Sequence, residues 1–103
     1  MEQGDKQRWC LIRAGEEGAR IAVEHMPFLV GRDVTCHLKL ESAEASRFHA
    51  QLKATTVPDC LFLTDQGSTN GTYHNGQRVD VARLKDGDTV GVGRSVLKLR
   101  VSN

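Results

Sequence analysis

The sequence is divided into short alternations of apolar and polar residues, each stopped by a turn signal about ten residues after the last, a spacing that leaves little room for a helix of several turns. Ile21 and Val23 flank Ala22, Leu38 and Leu40 flank Lys39, and Ala50, Leu52 and Ala54 alternate with Gln51 and Lys53. The same period returns at Val90 and Val92, and at Leu97, Leu99 and Val101. Successive side chains of a strand point to opposite faces, so each segment buries one face and wets the other. Cys60-Leu61-Phe62-Leu63 is apolar throughout and predicts a strand buried on both faces that stops at Thr64-Asp65. Turns are expected at Gly15-Glu16-Glu17-Gly18 and Pro58-Asp59, with type I′ hairpins at Asn75-Gly76 and Asp86-Gly87. Glu41-Ser42-Ala43-Glu44-Ala45 has helical propensity with Ser42 as its N-cap, which predicts one short helical turn. The pattern as a whole predicts an all-β sandwich. Residues 1–8 read as a disordered polar tail and residues 9–103 as a single domain of a size that one core stabilises.

Charge and cysteine content narrow the function. Fourteen Lys and Arg against thirteen Asp and Glu leave a net charge of +1, so no bulk field recommends nucleic acid or a membrane, and any charge-based function is local. Lys53, Lys98 and Arg100 read as a solvated sheet face. Cys10, Cys36 and Cys60 are odd in number and lack paired spacing, which predicts a reducing compartment, cytoplasmic or, in a eukaryote, nuclear. No run reaches the roughly 18 apolar residues of a membrane span, and Met1-Glu2-Gln3-Gly4-Asp5-Lys6 lacks the regions of a signal peptide. Only Cys36-His37 are adjacent among the Cys and His residues, so no metal site is expected, nor any cofactor. Ser46, His49 and Asp65 have the residue types of a hydrolase triad, but no G-x-S-x-G elbow accompanies them and no catalytic residue is expected.

Three loop segments concentrate anion-binding groups: Gly31-Arg32, then Ser46-Arg47-Phe48-His49-Ala50, then Gly67-Ser68-Thr69-Asn70-Gly71-Thr72. An arginine fork, hydroxyls and exposed main-chain N–H groups suit a phosphate monoester, which offers three acceptor oxygens and about −1.5 to −2 charges. Each segment alone is unspecific, being an ordinary strand end or an ordinary turn.

Taken together, with Asn75-Gly76 following at a fixed step, these segments resemble the forkhead-associated (FHA) domain, a family of phosphothreonine-binding β-sandwiches. The resemblance runs from about Trp9 to Val101 and includes Phe28-Leu29-Val30-Gly31-Arg32, Cys36-His37-Leu38-Lys39-Leu40 and Leu84-Lys85-Asp86-Gly87-Asp88. It departs from the usual pattern at His37, where relatives commonly carry an acidic residue, and at Ala45, where they carry a β-branched one. The resemblance implies an antiparallel sandwich of about eleven strands with its phosphate loops at one end. It implies that Arg32 pairs with the phosphate, that Ser46 donates its hydroxyl to it, that Arg47 contacts it from beside and that Thr69 completes the cradle. Asn70 would bond the ligand's main chain, and Gly71 would let the peptide approach. Gly31 and His49 would be structural, and Glu44, opposed by Arg94, would disfavour acidic residues three positions after the phosphothreonine. The implied partner is a protein phosphorylated on threonine, itself a Ser/Thr kinase or a kinase's substrate. The alternative is a phosphate-independent scaffold or self-association module using the sheet face.

Overall fold

The computed structural model describes residues 7–16, 18–57 and 59–102. Its strands in chain order are β1 (Arg8–Arg13), β2 (Arg20–Val23), β3 (Phe28–Gly31), β4 (Leu38–Lys39), β5 (Ala50–Ala54), β6 (Leu61–Asp65), β7 (Thr72–His74), β8 (Gln77–Val79), β9 (Val81–Leu84), β10 (Thr89–Val92) and β11 (Ser95–Ser102). One sheet has the order β2-β1-β11-β10-β7-β8 and the other β4-β3-β5-β6-β9. The two-residue period sorts the side chains. From the first sheet Trp9, Leu11, Val90, Val92, Leu97 and Leu99 turn inward, and from the second Phe28, Val30, Leu52, Leu61, Leu63 and Leu84 meet them in one buried cluster. This is the face-to-face packing expected of a sandwich, in which apolar burial rather than backbone propensity supplies most of the stability.

All pairs are antiparallel except β3 with β4, which run parallel through Val30↔Leu38 and Gly31↔Lys39. A parallel neighbour so close in sequence forces the chain leaving Gly31 to climb away and come back, and residues 32–37 form that return. The antiparallel sandwich of about eleven strands that the resemblance implies is found, with this one parallel pair at the edge of its second sheet.

Other details differ from the sequence reading for identifiable reasons. Arg8, assigned to the N-terminal tail, is the first residue of β1 because it pairs with Ser102 of β11, while residues 1–6 lie outside the described residues. Residues 41–45 form one isolated turn and no helix: the Ser42 carbonyl accepts from Ala45 N at 3.1 Å and its Oγ from Glu44 N at 3.1 Å, as an N-cap's would, but no second turn follows. Asn75 (φ 49°) and Gly76 (φ 89°) are both left-handed, as a type I′ hairpin between β7 and β8 requires. Asp86-Gly87 makes no hairpin, because β9 and β10 belong to different sheets and the turn carries the chain across the sandwich. Of the remaining turn signals, Glu17 and Pro58 lie outside the described residues, while Gly15 (φ 85°) and Asp59 (φ 61°) adopt left-handed conformations.

β6 is an interior strand of its sheet, paired on both sides, yet buried on one face only: Leu61 and Leu63 are 2% and 1% exposed, whereas Phe62 between them is 38% exposed. The outer face of this sheet has no covering layer among the described residues, so an apolar run here does not mean burial on both sides. Leu63→Ala is expected to lower the unfolding free energy by about 2–5 kcal/mol, and Phe62→Ala by only about 1 kcal/mol, in equilibrium denaturation.

Candidate functional site

The ends of β3, β6 and β10 deliver three loops to one end of the sandwich, and the loop between β4 and β5 lies between them. Main-chain bonds lock the loop after β3 to the serine loop between β4 and β5: Arg32 N donates to Ser46 O and Asp33 N to Arg47 O, each at 3.1 Å, and His49 N donates to Val30 O at 3.0 Å. Gly31 makes this approach feasible. A Cβ there would lie 2.2 Å from the Arg47 carbonyl oxygen, so any side chain would push the loops apart.

Arg32 is exposed, but its Nε donates to the Ala45 carbonyl, which pins the guanidinium over the serine loop. Its two Nη groups have no partner among the described residues. Ser46 Oγ accepts from Thr69 N at 3.0 Å, which ties the serine loop to the third loop and leaves the hydroxyl proton without an acceptor among the described residues. Asn70 Nδ2 donates to Glu44 O at 2.8 Å, and its Oδ1 has no such bond. Thr69 and Asn70 are both exposed. Arg47 is also exposed, with its guanidinium 3.6 Å from the Asp33 carboxylate.

Beneath these groups sits His49, 0% exposed. Its Nδ1 accepts from Ser46 N at 3.0 Å, so the ring proton sits on Nε2 and donates to Gly71 O at 2.8 Å. Both ring nitrogens are therefore committed to main chain. Asp65 bonds Ser68 and Thr72 rather than His49, so Ser46, His49 and Asp65 do not form a proton relay.

Gly71 has a reason of its own to be glycine. It is buried with φ +92°, and a Cβ there would lie 2.7 Å from Arg78 Nε, so the group over its α-carbon is this chain's own guanidinium. The resemblance implies ligand approach at Gly71, and the Arg78 side chain lies against that position.

Glu44 and Arg94, singled out separately in the sequence, form one ion pair, with Arg94 Nε 3.1 Å from Glu44 Oε1, and Ser42 Oγ also donates to that oxygen at 3.1 Å. The Arg94 hydrogen bond, seconded by Ser42, holds the Glu44 carboxyl below its ordinary value. The turn carrying Arg94 is pressed on the serine loop through Gly93, where a Cβ would lie 2.9 Å from Ala45 N. Ala45 is itself 2% exposed. His37 accepts from Leu29 N at 3.0 Å through Nδ1 and stacks on Phe28 and His25, so at this departure from the usual pattern the side chain braces the edge of the sheet.

A family model for the FHA domain matches residues 28–93. The chain belongs to the FHA domain family. Among its relatives, the FHA domain-containing protein FhaB of Mycobacterium tuberculosis is 37% identical over 95 residues, covering 90% of this chain and 60% of FhaB. The glycogen accumulation regulator GarA of the same species is 32% identical over 82 residues, covering 80% of this chain and 49% of GarA. The chain thus spans roughly half to three-fifths of these relatives. A solved structure from a study of phosphothreonine-dependent FHA domain interactions superposes with a TM-score of 0.83 at 25% identity, covering 93% of this chain and 98% of that one. The FhaA FHA domain, solved in complex with the intracellular domain of Rv3910, gives 0.80 at 26% identity, covering 89% and 99%.

Asp65 is the organising residue that the sequence reading passed over except as a triad candidate. Its Oδ2 accepts from Gly67 N at 3.0 Å and Ser68 N at 3.1 Å, and its Oδ1 accepts from the hydroxyls of Ser68 and Thr72. Asp65 followed by Gly67-Ser68 is an Asx-turn signature, and that signal was present in the sequence. Burial pushes the Asp65 carboxyl up, but the hydrogen bonds from Ser68, Thr72 and Gly67 outweigh it and hold the group below its ordinary value. A carboxyl depressed in the folded state stabilises the fold above its unfolded pKa, near 3.9, and that contribution is lost as pH falls through the folded value. Asp65→Asn is therefore expected to be less stable than the parent at pH 7 and to lose less stability between about pH 5 and pH 3, measured by urea denaturation across that range.

Proposed function

We propose that this FHA domain binds a phosphothreonine segment of a partner protein at the end of the sandwich where Arg32, Ser46, Thr69 and Asn70 converge. The Thr69 N–H to Ser46 Oγ bond carries the reading, because it brings donors from two loops to one point beside the pinned Arg32 guanidinium. The free Arg32 Nη groups, the Ser46 hydroxyl and the Thr69 N–H are donors matched to the three oxygens of a phosphate dianion. Thr69 N–H is already donated to the serine oxygen, and an anion oxygen would compete for that donor. Asn70 Oδ1, with its amide already fixed on Glu44 O, offers an acceptor for an N–H of the peptide main chain. Arg47 flanks the phosphate with its charge shared by Asp33.

The role is docking, without chemistry on the bound segment and without a cofactor. The partner is a protein marked by a Ser/Thr kinase, or such a kinase itself. Intact Arg32, Ser46 and Asn70 weigh against a phosphate-independent scaffold. The paired Glu44 and Arg94 present a nearly neutral lip, so selection against acidic residues three positions after the phosphothreonine is weaker than Glu44 alone implies.

Arg32→Ala is expected to weaken binding of a phosphothreonine peptide at least tenfold, since each charge-assisted bond to a desolvated phosphate is worth roughly 1.5–3 kcal/mol. Titration calorimetry measures this, with an unchanged denaturation curve showing that the fold is retained; unchanged affinity would overturn the reading. Glu44→Arg, by placing two cations at the lip, is expected to raise affinity for a peptide acidic at that position several-fold over a basic one, measured in the same titrations.

A further inference from the structure

The outer face of the first sheet carries a cluster of cations remote from the phosphate loops. β1 turns Trp9 and Leu11 into the core and therefore presents Arg8, Cys10 and Ile12 outward. Strand register places Arg100 and Lys98 of β11 beside Cys10 and Ile12, and Ala22 and Arg20 of β2 on their other side. Four cations thus lie on three adjacent strands. The one carboxylate that pairs with any of them among the described residues is Asp86, whose Oδ1 is 3.1 Å from Arg100 Nε. In a chain whose net charge is only +1, this is a local concentration of positive charge among the described residues.

The surface here is concave. Arg8, Arg20 and Arg100 surround a hollow of about 260 Å³ floored by Cys10 and Ile12, with Arg20 Nη1 3.6 Å from Cys10 Sγ. A wider hollow adjoins it through Arg8, Cys10 and Ser102, bordered by Ala22, Val23 and the exposed Met26, with Glu24 at its edge. β11 leaves the phosphate end at Ser95, so Arg100 stands roughly 17 Å along the strand from that end.

We propose that these two hollows form a second docking surface, which takes an acidic, unphosphorylated tract of a partner protein. Its carboxylates would sit on the guanidinium forks of Arg8, Arg20 and Arg100, as Asp86 already sits on one, and an apolar side chain would enter the hollow beside Val23 and Met26. Guanidinium forks interleaved with aliphatic carbon fit alternating acidic and apolar residues. A single-stranded nucleic acid would need rings on which to stack, and Tyr73, the outward aromatic of this sheet, stands three strands away on β7. The two surfaces do not share a residue, so a partner carrying both a phosphothreonine and an acidic tract is held twice and gains avidity.

The test is a titration of the isotope-labelled chain, by NMR, with a short peptide of alternating Glu and Leu, alongside its Lys-Leu counterpart and a single-stranded oligonucleotide. The Glu-Leu peptide is expected to shift the amides of Cys10, Ile12, Arg20, Ala22 and Arg100, and to bind more weakly as salt rises from about 50 to about 300 mM. Arg8→Glu combined with Arg20→Glu is expected to weaken this binding at least about fivefold while leaving phosphothreonine-peptide affinity unchanged, which also reports that the variant is folded. Shifts confined to the phosphate loops, binding of the Lys-Leu peptide or the oligonucleotide at equal strength, or an unaffected double variant would overturn the proposal. Loss of phosphothreonine binding by Arg32→Ala leaves this outcome untouched, so the two readings fail separately.

Discussion

The buried ring of His49 is the interaction on which the binding end depends. It takes the N–H of Ser46 on one nitrogen and gives its proton to the carbonyl of Gly71, 22 positions further along the chain from the ring, on the other, and so joins two loops. Both partners are main-chain groups that would otherwise stand unsatisfied away from water, and such a group costs about 1–3 kcal/mol. The ring therefore fixes the heights of the two loops relative to each other. Ser46 Oγ and Thr69 N can meet above it only because it holds their backbones at that separation.

Around this tie the loops are rigid for reasons of space. Gly31 lets the serine loop lie against the end of β3, Gly93 lets the last turn press on Ala45, and Asp65 gathers four donors into the third loop. A site built this way is organised before its ligand arrives, so little of the binding free energy is spent on ordering loops. The return of residues 32–37 forced by the parallel pairing of β3 and β4 lifts Arg32 over the serine loop, where the Ala45 carbonyl keeps its side chain from wandering.

The near-neutral chain conceals two distinct concentrations of positive charge. At the loop end the cations are partly offset: Arg47 lies by Asp33 and Arg94 by Glu44, which leaves Arg32 with two guanidinium nitrogens that have no partner among the described residues. On the outer face of the first sheet, strand register sets cations of three strands side by side, and among the described residues one carboxylate, Asp86, pairs with them. Whole-chain charge could not separate these cases, since it averages over a surface whose fields are screened within about 10 Å.

Residue pattern by itself marked β2, β4, β5, β6, β10 and β11 and the all-β class, because period-two alternation and left-handed turn residues are local properties of a chain, whereas the count of about eleven strands came from the family resemblance. Asn75-Gly76 needed no tertiary context to become a type I′ turn, and the loops that bring Arg32, Ser46 and Asn70 together were already marked in the sequence as the place to look for an anion site. What the tertiary structure decided was each residue's neighbour. Phe62 looked like core and became surface, because burial depends on whether a layer covers the sheet rather than on the strand's composition. Asp86-Gly87 looked like a hairpin and became a crossing between sheets. Gly71 had a role toward the ligand in sequence and has Arg78 over it in space, while Glu44 and Arg94, 50 positions apart, proved to be one ion pair. Such pairings are set by which loops reach the same end of the sandwich, and long-range proximity of that kind leaves no mark on the local period of the chain.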